Sequence, residues 1–339
     1  MVNGWIILDK PHGLGSTQAV GAVKRNLREA GYGKVKVGHG GTLDPLATGV
    51  LPIALGEATK LCGRMLDASK VYAFTIAFGT ETDSLDLEGS VIATCDLRPE
   101  PAQIEAVLPR FTGPIEQVPP AYSAIKVDGE RAYDLARAGE AVELKARSVT
   151  VHSLEILHGT RRGTSGAGGG AGSAGPDLED LEEPHVPLHH PADGPPPRAG
   201  EEFVTLIAHV SKGTYIRSLA RDIAHALGTV GHVTMLRRLK AGPFDLSQAI
   251  SLDKLNEVGK GAPLEHVLLP LEAGLVDIPA LDLSPEQARA VRQGRVLDGL
   301  PHDDGLYWVR SGKVPVALVE LSGSVLTVAR GFNLPDVAE

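Results

Sequence analysis

Strand-like and helix-like segments follow one another along this chain without the regular strand–helix–strand rhythm of a parallel sheet, and that irregular order is what most restricts its fold. Apolar alternation and β-branched residues predict strands at Trp5–Leu8, Tyr72–Phe78, Ser90–Thr94, Ser148–Leu157, Phe203–Val210 and Val233–Leu239. Helical spacing covers Gln18–Ala30 with Thr17 as its cap, Pro101–Phe111, and Tyr215–Leu227. In the last of these, Ile216, Leu219, Ala220, Ile223 and Leu227 share one face before Gly228 stops the helix. The expectation is an α+β fold on a mixed, largely antiparallel sheet with flanking helices. After Pro243 the signals shorten to helices at Leu252–Val258 and Ser284–Arg292 and strands at Gly305–Val309, Val314–Leu321 and Val325–Arg330. These divide the chain into a large domain over 1–245, a connecting helical segment over 246–276 and a small β-rich C-terminal domain over 277–339.

Between Gly159 and Gly200 the composition changes to glycine, proline and charge, with too few large apolar residues to repay ordering. This reads as a flexible insertion between two strands. His185, His189 and His190 fall inside it, and solvated histidines explain them better than a metal. Elsewhere, 339 residues with 42% hydrophobic content supply a core that needs no staples. Cys62 and Cys95 are far apart and form no CxxC pair, so neither a disulfide framework nor a zinc site is expected. No N-terminal run has the make-up of a secretory signal, and no stretch approaches the roughly 18 apolar residues of a membrane helix. The expectation is a cytoplasmic chain with no membrane partner, monomeric by default.

The Val37–Lys60 stretch, VGHGGTLDPLATGVLPIALGEATK, surrounds one carboxylate, Asp44, with glycines, small residues and a proline. Glycine lets a ligand come close to the main chain, and Pro45 stiffens the residue pair carrying the acid. Local composition leaves two readings open: a loop presenting one reactive group, or ordinary Asp-Pro turn chemistry.

The stretch closely resembles the G-H-x-G-x-L-D-P-x-A-x-G-x-L motif of the TruB family of tRNA pseudouridine synthases. Three further blocks in the same order strengthen the resemblance. Trp5–Gly15 (WIILDKPHGLG) is similar to the family's opening strand and DKPxG turn. Gln117–Arg137 (QVPPAYSAIKVDGERAYDLAR) is similar to its RNA-gripping insertion, expected over about 112–140. Val210–Leu219 (VSKGTYIRSL) is similar to the strand and helix start carrying its catalytic arginine.

The resemblance implies conversion of a uridine, at position 55 in the T-loop of tRNA, into its C-glycoside isomer, without redox change and so without a cofactor or metal. It implies Asp44 as the catalytic carboxylate, acting on C1′ or C6 as nucleophile or removing the 2′ proton; the sequence leaves these routes open. A carboxylate in a dry site stays charged only beside an opposite charge, and the resemblance makes Arg217 that partner. Tyr72 matches the tyrosine that stacks on the target base and can act as a base toward the sugar. His39 matches the histidine that fills the gap left by a flipped nucleotide.

For RNA contact the resemblance and the charge pattern together nominate Lys10, Gly41, Lys60, Arg64, Tyr122, Lys126, Arg131, Lys212 and Arg295, the last in a C-terminal domain expected to be PUA-like. The partner is then the T-arm stem-loop of tRNA, with no obligatory protein partner. The net charge of −9 looks unfavourable for such a partner. However, the 159–200 stretch holds six acidic and three basic residues, while basic clusters fall in the motif-bearing segments. Gly40 departs from the family pattern, standing where many relatives carry threonine or serine. Two rival readings are a noncatalytic RNA-folding module and a guide-RNA-dependent rRNA pseudouridine synthase. The D-P-L-A-T-G wording and the lack of basic extensions argue against the second.

Overall fold

A computed structural model describes residues 2–157 and 203–334, apart from positions 124, 128, 141 and 143. The 159–200 insertion with its three histidines lies outside the described residues. In chain order the first part contains β1 (Gly4–Lys10), α1 (Ser16–Glu29), β2 (Val37–His39), β3 (Thr48–Leu55), α2 (Cys62–Asp67) and β4 (Lys70–Phe78). Then come β5 (Thr80–Thr82), β6 (Val91–Thr94), α3 (Pro101–Val107), β7 (Gly113–Gln117), β8 (Lys126–Val127), β9 (Glu130–Arg131), α4 (Ala132–Arg137) and β10 (Arg147–Ile156). Beyond the insertion follow β11 (Phe203–Val210), α5 (Ile216–Ala226), β12 (Gly231–Ala241), β13 (Phe244–Asp245) and α6 (Leu252–Gly259).

The principal sheet runs β1-β3-β12-β4-β11-β10-β7, with β2 beside β3 and β13 beside β12. Every pair is antiparallel except β12 with β3, which pair in parallel through Arg237↔Thr48 and Arg238↔Gly49. The sheet is therefore mixed and largely antiparallel, as the segment order predicts. Strand β3 is the main element the sequence reading lacks. Its GVLPIAL run is apolar on both sides because both faces of the sheet are covered, so period-2 alternation never appears.

Alternate residues of β1 show the two faces. Ile6 and Leu8 join Leu51, Ile53, Phe74 and Ile76 under Val23 and Leu27 of α1, Leu219 and Ile223 of α5, and Leu255 and Val258 of α6. Trp5 and Ile7 turn the other way, onto Val50, Phe244 and Leu275 and onto Trp308, Leu318 and Phe332 of the C-terminal part. Each such fully buried aliphatic side chain contributes about 1.5–3 kcal/mol.

Helix α1 begins at Ser16, not after a Thr17 cap. Gly15 takes the capping position, its N–H donating to Gln18 Oε1 at 2.7 Å. Ser16 Oγ is spent on Leu43, accepting from its N–H at 2.8 Å and donating to its carbonyl at 2.9 Å.

The C-terminal part forms its own five-stranded sheet from β14 (Ala280–Asp282), β15 (Leu297–Asp298), β16 (Gly305–Ser311), β17 (Val314–Ser322) and β18 (Val325–Gly331), in the order β14-β16-β17-β18-β15. Helix α7 (Pro285–Arg292) caps with Ser284, whose Oγ accepts from Gln287 N–H at 3.2 Å, and packs Ala288 and Val291 onto Val309, Val319 and Leu326.

Candidate active site

Residues 39–47 cross from β2 to β3 as a loop fastened at nearly every step. Gly40 N–H donates to Pro52 at 2.8 Å, and Arg238 donates to the Gly41 and Thr42 carbonyls at 3.2 and 3.3 Å. Leu43 is held by Ser16, and the Pro45 carbonyl accepts from Gly13 N–H at 2.8 Å and Lys10 Nζ at 3.2 Å. Gly41 has φ +140°, a value that favours glycine. These bonds leave the Asp44 carboxylate to point out of the loop, and its side chain is 40% exposed.

What it meets is Arg217, on the first turn of α5. One guanidinium nitrogen lies 2.8 Å from Asp44 Oδ2, and the arginine is only 4% exposed. The same guanidinium donates to the Ser84 and Tyr122 carbonyls, each at 2.9 Å, and lies 3.2 Å from Asp86 Oδ2. Its helix start is fixed by the fully buried Gln117, whose amide donates to the Tyr215 carbonyl at 3.1 Å and accepts from Tyr215 N–H at 2.8 Å. Ser218 Oγ adds a bond to the Val118 carbonyl at 2.9 Å. So two segments 173 residues apart, 44 and 217, are brought together by a sheet whose other strands carry the anchors.

Asp86, Ser84, Gln117 and Arg238 escaped the sequence reading. Asp86 is 3% exposed and accepts from Ser84 Oγ at 2.5 Å and Glu88 N–H at 3.0 Å. Between them Leu85 has φ +63°, uncommon for a branched side chain and the kind of backbone strain that clusters at functional sites. For Ser84 and Asp86 the one available signal was the polar turn Asp83-Ser-Leu-Asp-Leu-Glu-Gly89, which holds two further acids, Asp83 and Glu88, within seven residues.

Tyr72 is half-buried on β4, directly opposite Arg238 on β12 and Ala208 on β11. Cross-strand partners share a sheet face, so Tyr72 lies on the face from which Arg238 reaches the loop. His39 lies at the end of β2, and its Nδ1 accepts from Gly41 N–H at 3.4 Å. Burial, reinforced by the charge of Arg238, pushes its imidazole below the usual value.

Several expected RNA contacts sit elsewhere. Lys10 is 0% exposed, and its ammonium donates to the carbonyls of Pro11, Leu14 and Pro45. It cannot reach phosphate. Burial lowers it to about 8, against the opposing pull of Asp44. Lys60 lies in a short 3-10 turn (Gly56–Leu61) after β3 and Arg64 in α2, and both side chains point to the C-terminal part. Lys60 pairs with Glu57 at 2.6 Å and donates to the Gly331 carbonyl at 2.8 Å, while Arg64 pairs with Asp277. They act as tethers, and not as free cations. Gly41 offers its carbonyl inward to Arg238, so its backbone role is structural on that side.

The remaining candidates are exposed or partly so. Lys126 and Arg131 lie on the β8–β9 hairpin, with the Arg131 guanidinium 6.0 Å from the Tyr133 ring. Tyr122 OH contacts Asp83 at 3.4 Å, and its backbone carbonyl, not its ring, serves Arg217. Lys212 pairs with Asp67 at 2.9 Å, both about two-thirds exposed at 65% and 66%, so the pair adds little stability. Arg295 is exposed just beyond α7, far along the chain from Asp44. Gly40 is buried; a Cβ there would lie 2.6 Å from Met65 Cβ, so the methionine occupies the space a threonine or serine would need. Among the described residues no group of His, Cys, Asp and Glu is arranged to hold a metal, and no helix is long and apolar enough to cross a membrane.

A family model described as TruB family pseudouridylate synthase (N terminal domain) matches residues 27–165, and one described as tRNA pseudouridylate synthase B C-terminal domain matches 217–276. The chain is 70% identical to the tRNA pseudouridine synthase B of Novosphingobium aromaticivorans over 339 residues, all of both proteins. To that of Zymomonas mobilis it is 53% identical over 332 residues, 98% of this chain and 96% of the relative. Among solved structures, the crystal structure of a Cbf5-Nop10-Gar1 complex contains a chain with TM-score 0.66 at 24% identity, covering 98% of this chain and 85% of that one. That similarity speaks to the fold alone.

Proposed function

The chain belongs to the TruB family of pseudouridylate synthases, and from that premise we propose that it isomerises uridine to pseudouridine at position 55 in the T-loop of tRNA, with Asp44 as the catalytic carboxylate. The observation carrying the reading is the 2.8 Å ion pair between Asp44 and the buried Arg217. In the reaction the N1–C1′ bond breaks, the uracil turns, C5 bonds to C1′, and a proton leaves C5 as N1 gains one. Atoms and electrons balance with no added group, so the proposal needs no cofactor. Asp44 acts on the sugar or the base, Arg217 holds its carboxylate in place, and Tyr72 stacks on the base. His39, its imidazole pushed below the usual value by burial, fills the stack once the uridine is flipped out.

Lys126, Arg131, Tyr122 and Lys212 surround the approach to Asp44 in this reading, and Arg295 on the PUA-like part meets the RNA backbone further out. Such contacts position RNA, while the splayed loop specifies it. The protein works as a monomer in the cytoplasm without an obligatory protein partner. Full-length identity of 70% to a protein named for tRNA favours this reading over a guide-RNA-dependent one, whose structural relatives are alike in fold only.

The test is to incubate the purified chain, with nothing added, with unmodified tRNA and locate pseudouridine by carbodiimide derivatisation and primer extension. A single stop at the T-loop uridine is expected, absent for Asp44→Asn although that variant still binds the T-arm. Modification retained by Asp44→Asn would remove the aspartate from the reaction and favour a noncatalytic role for the site.

A further inference from the structure

Arg238 is among the largest fully buried side chains, 1% exposed, yet none of the ion pairs among the described residues includes it. An interior cation without a carboxylate partner is costly unless its donors are all used. Its donors go to backbone: Nε to Val50 at 2.7 Å, Nη2 to Gly41 at 3.2 Å and Nη1 to Thr42 at 3.3 Å. Val50 belongs to β3 at the far end of the Asp44 loop, and Gly41 and Thr42 to its near end. One planar group therefore spans the two ends of the loop. The chain is shaped around it: Gly49 has φ +99°, and a Cβ there would lie 2.2 Å from the Arg238 carbonyl, so β3 and β12 approach as closely as only glycine permits.

We infer that Arg238 is a positioning residue for the reaction, fixing residues 41–50 so that Asp44 is presented to Arg217 and the flipped uridine. The inference rests on the proposed role of Asp44. Ser16, Gly13 and Lys10 secure the loop from the α1 side at Leu43 and Pro45; Arg238 secures it from the β12 side. Its acceptors are loop carbonyls and one strand carbonyl, while its stem lies in the sheet. A shorter uncharged residue such as glutamine thus keeps the stem in the sheet and releases the loop carbonyls. A displacement of about 1 Å in a reacting group can cost on the order of 10²-fold in rate.

Arg238→Gln and Arg238→Lys are compared with the unaltered chain and with Asp44→Asn in single-turnover pseudouridine formation, tRNA binding and thermal unfolding. For Arg238→Gln the expected result is a modification rate lowered about 10- to 100-fold, with the tRNA dissociation constant within about 3-fold and a folded protein. Arg238→Lys, which keeps the charge and reaches fewer carbonyls, recovers part of the lost rate. A folded Arg238→Gln protein that modifies at the normal rate, or whose loss follows tRNA affinity, overturns the inference. So does a chain that folds with neither substitution, since the arginine would then be required by the framework and not by the loop. If Asp44→Asn retains activity, the functional reading has failed; if it is inactive while Arg238→Gln is normal, only this inference has.

Discussion

Asp86 and Asp44 approach one guanidinium from two different loops, Asp86 at 3.2 Å from Arg217 Nη1 and Asp44 at 2.8 Å from Nη2. Asp86 is 3% exposed, whereas the Asp44 side chain is 40% exposed. One carboxylate thus orients the arginine from inside, and the other is available to a ligand.

Arg217→Lys is expected to lower the modification rate by about 10²-fold or more. A lysine ammonium has no planar fork and cannot serve Asp44, Asp86 and the Ser84 and Tyr122 carbonyls from one position. Single-turnover carbodiimide assays on tRNA check this, and a rate within threefold of normal would contradict it.

Asp86→Asn keeps the shape but removes a buried charge facing Arg217. It is expected to cost about 1–3 kcal/mol of stability, less than breaking an isolated buried pair because Arg217 keeps its other three partners. Urea denaturation measures the loss, and a slower modification rate should accompany it.

Gly40→Thr introduces the residue type that the family resemblance leads one to expect here but drives its Cβ to 2.6 Å from Met65 Cβ. Overpacking of this kind costs about 1–3 kcal/mol. Adding Met65→Ala should relieve part of it, so the two substitutions together should be less damaging than their sum. A double-mutant cycle by thermal unfolding decides; simple additivity would mean the two sites do not interact.

Burial holds Lys10 at about 8 against its ordinary 10.5. Between those values the unfolded chain binds the proton and the folded chain does not, so stability contributed by this group rises with pH. Lys10→Met lacks that rise. The unaltered chain should therefore gain on the variant by up to about 3 kcal/mol between pH 8 and 10.5, measured by denaturation midpoints. Parallel curves for the two proteins would show that Lys10 titrates normally.

Around Asp44, glycine and proline constrain the backbone locally but left a reactive loop and an ordinary turn both open, and the resemblance to the family motif chose between them. Strands β4, β11 and β12 and helices α1 and α5 were readable because their side-chain period is local. Strand β3 was not, because covering both sheet faces erases the alternation by which strands are recognised. Lys10, Lys60 and Arg64 look in the sequence like cations for phosphate, yet the folded chain turns them onto carbonyls and acids of its own. Among charged residues, type gives the capacity for a contact and burial chooses the partner.

By itself the sequence carried the motifs through which the family is recognised, and residue type with short-range spacing predicted the mixed sheet and the glycine-rich loop around Asp44. The resemblance named Arg217 as the partner of Asp44 and the tertiary structure supplied the 2.8 Å contact; that structure alone decided that Asp86 shares the guanidinium and that Arg238 grips the loop. Those contacts join residues 131 to 197 positions apart, several of them through backbone carbonyls, which every residue carries and no pattern of side chains reveals.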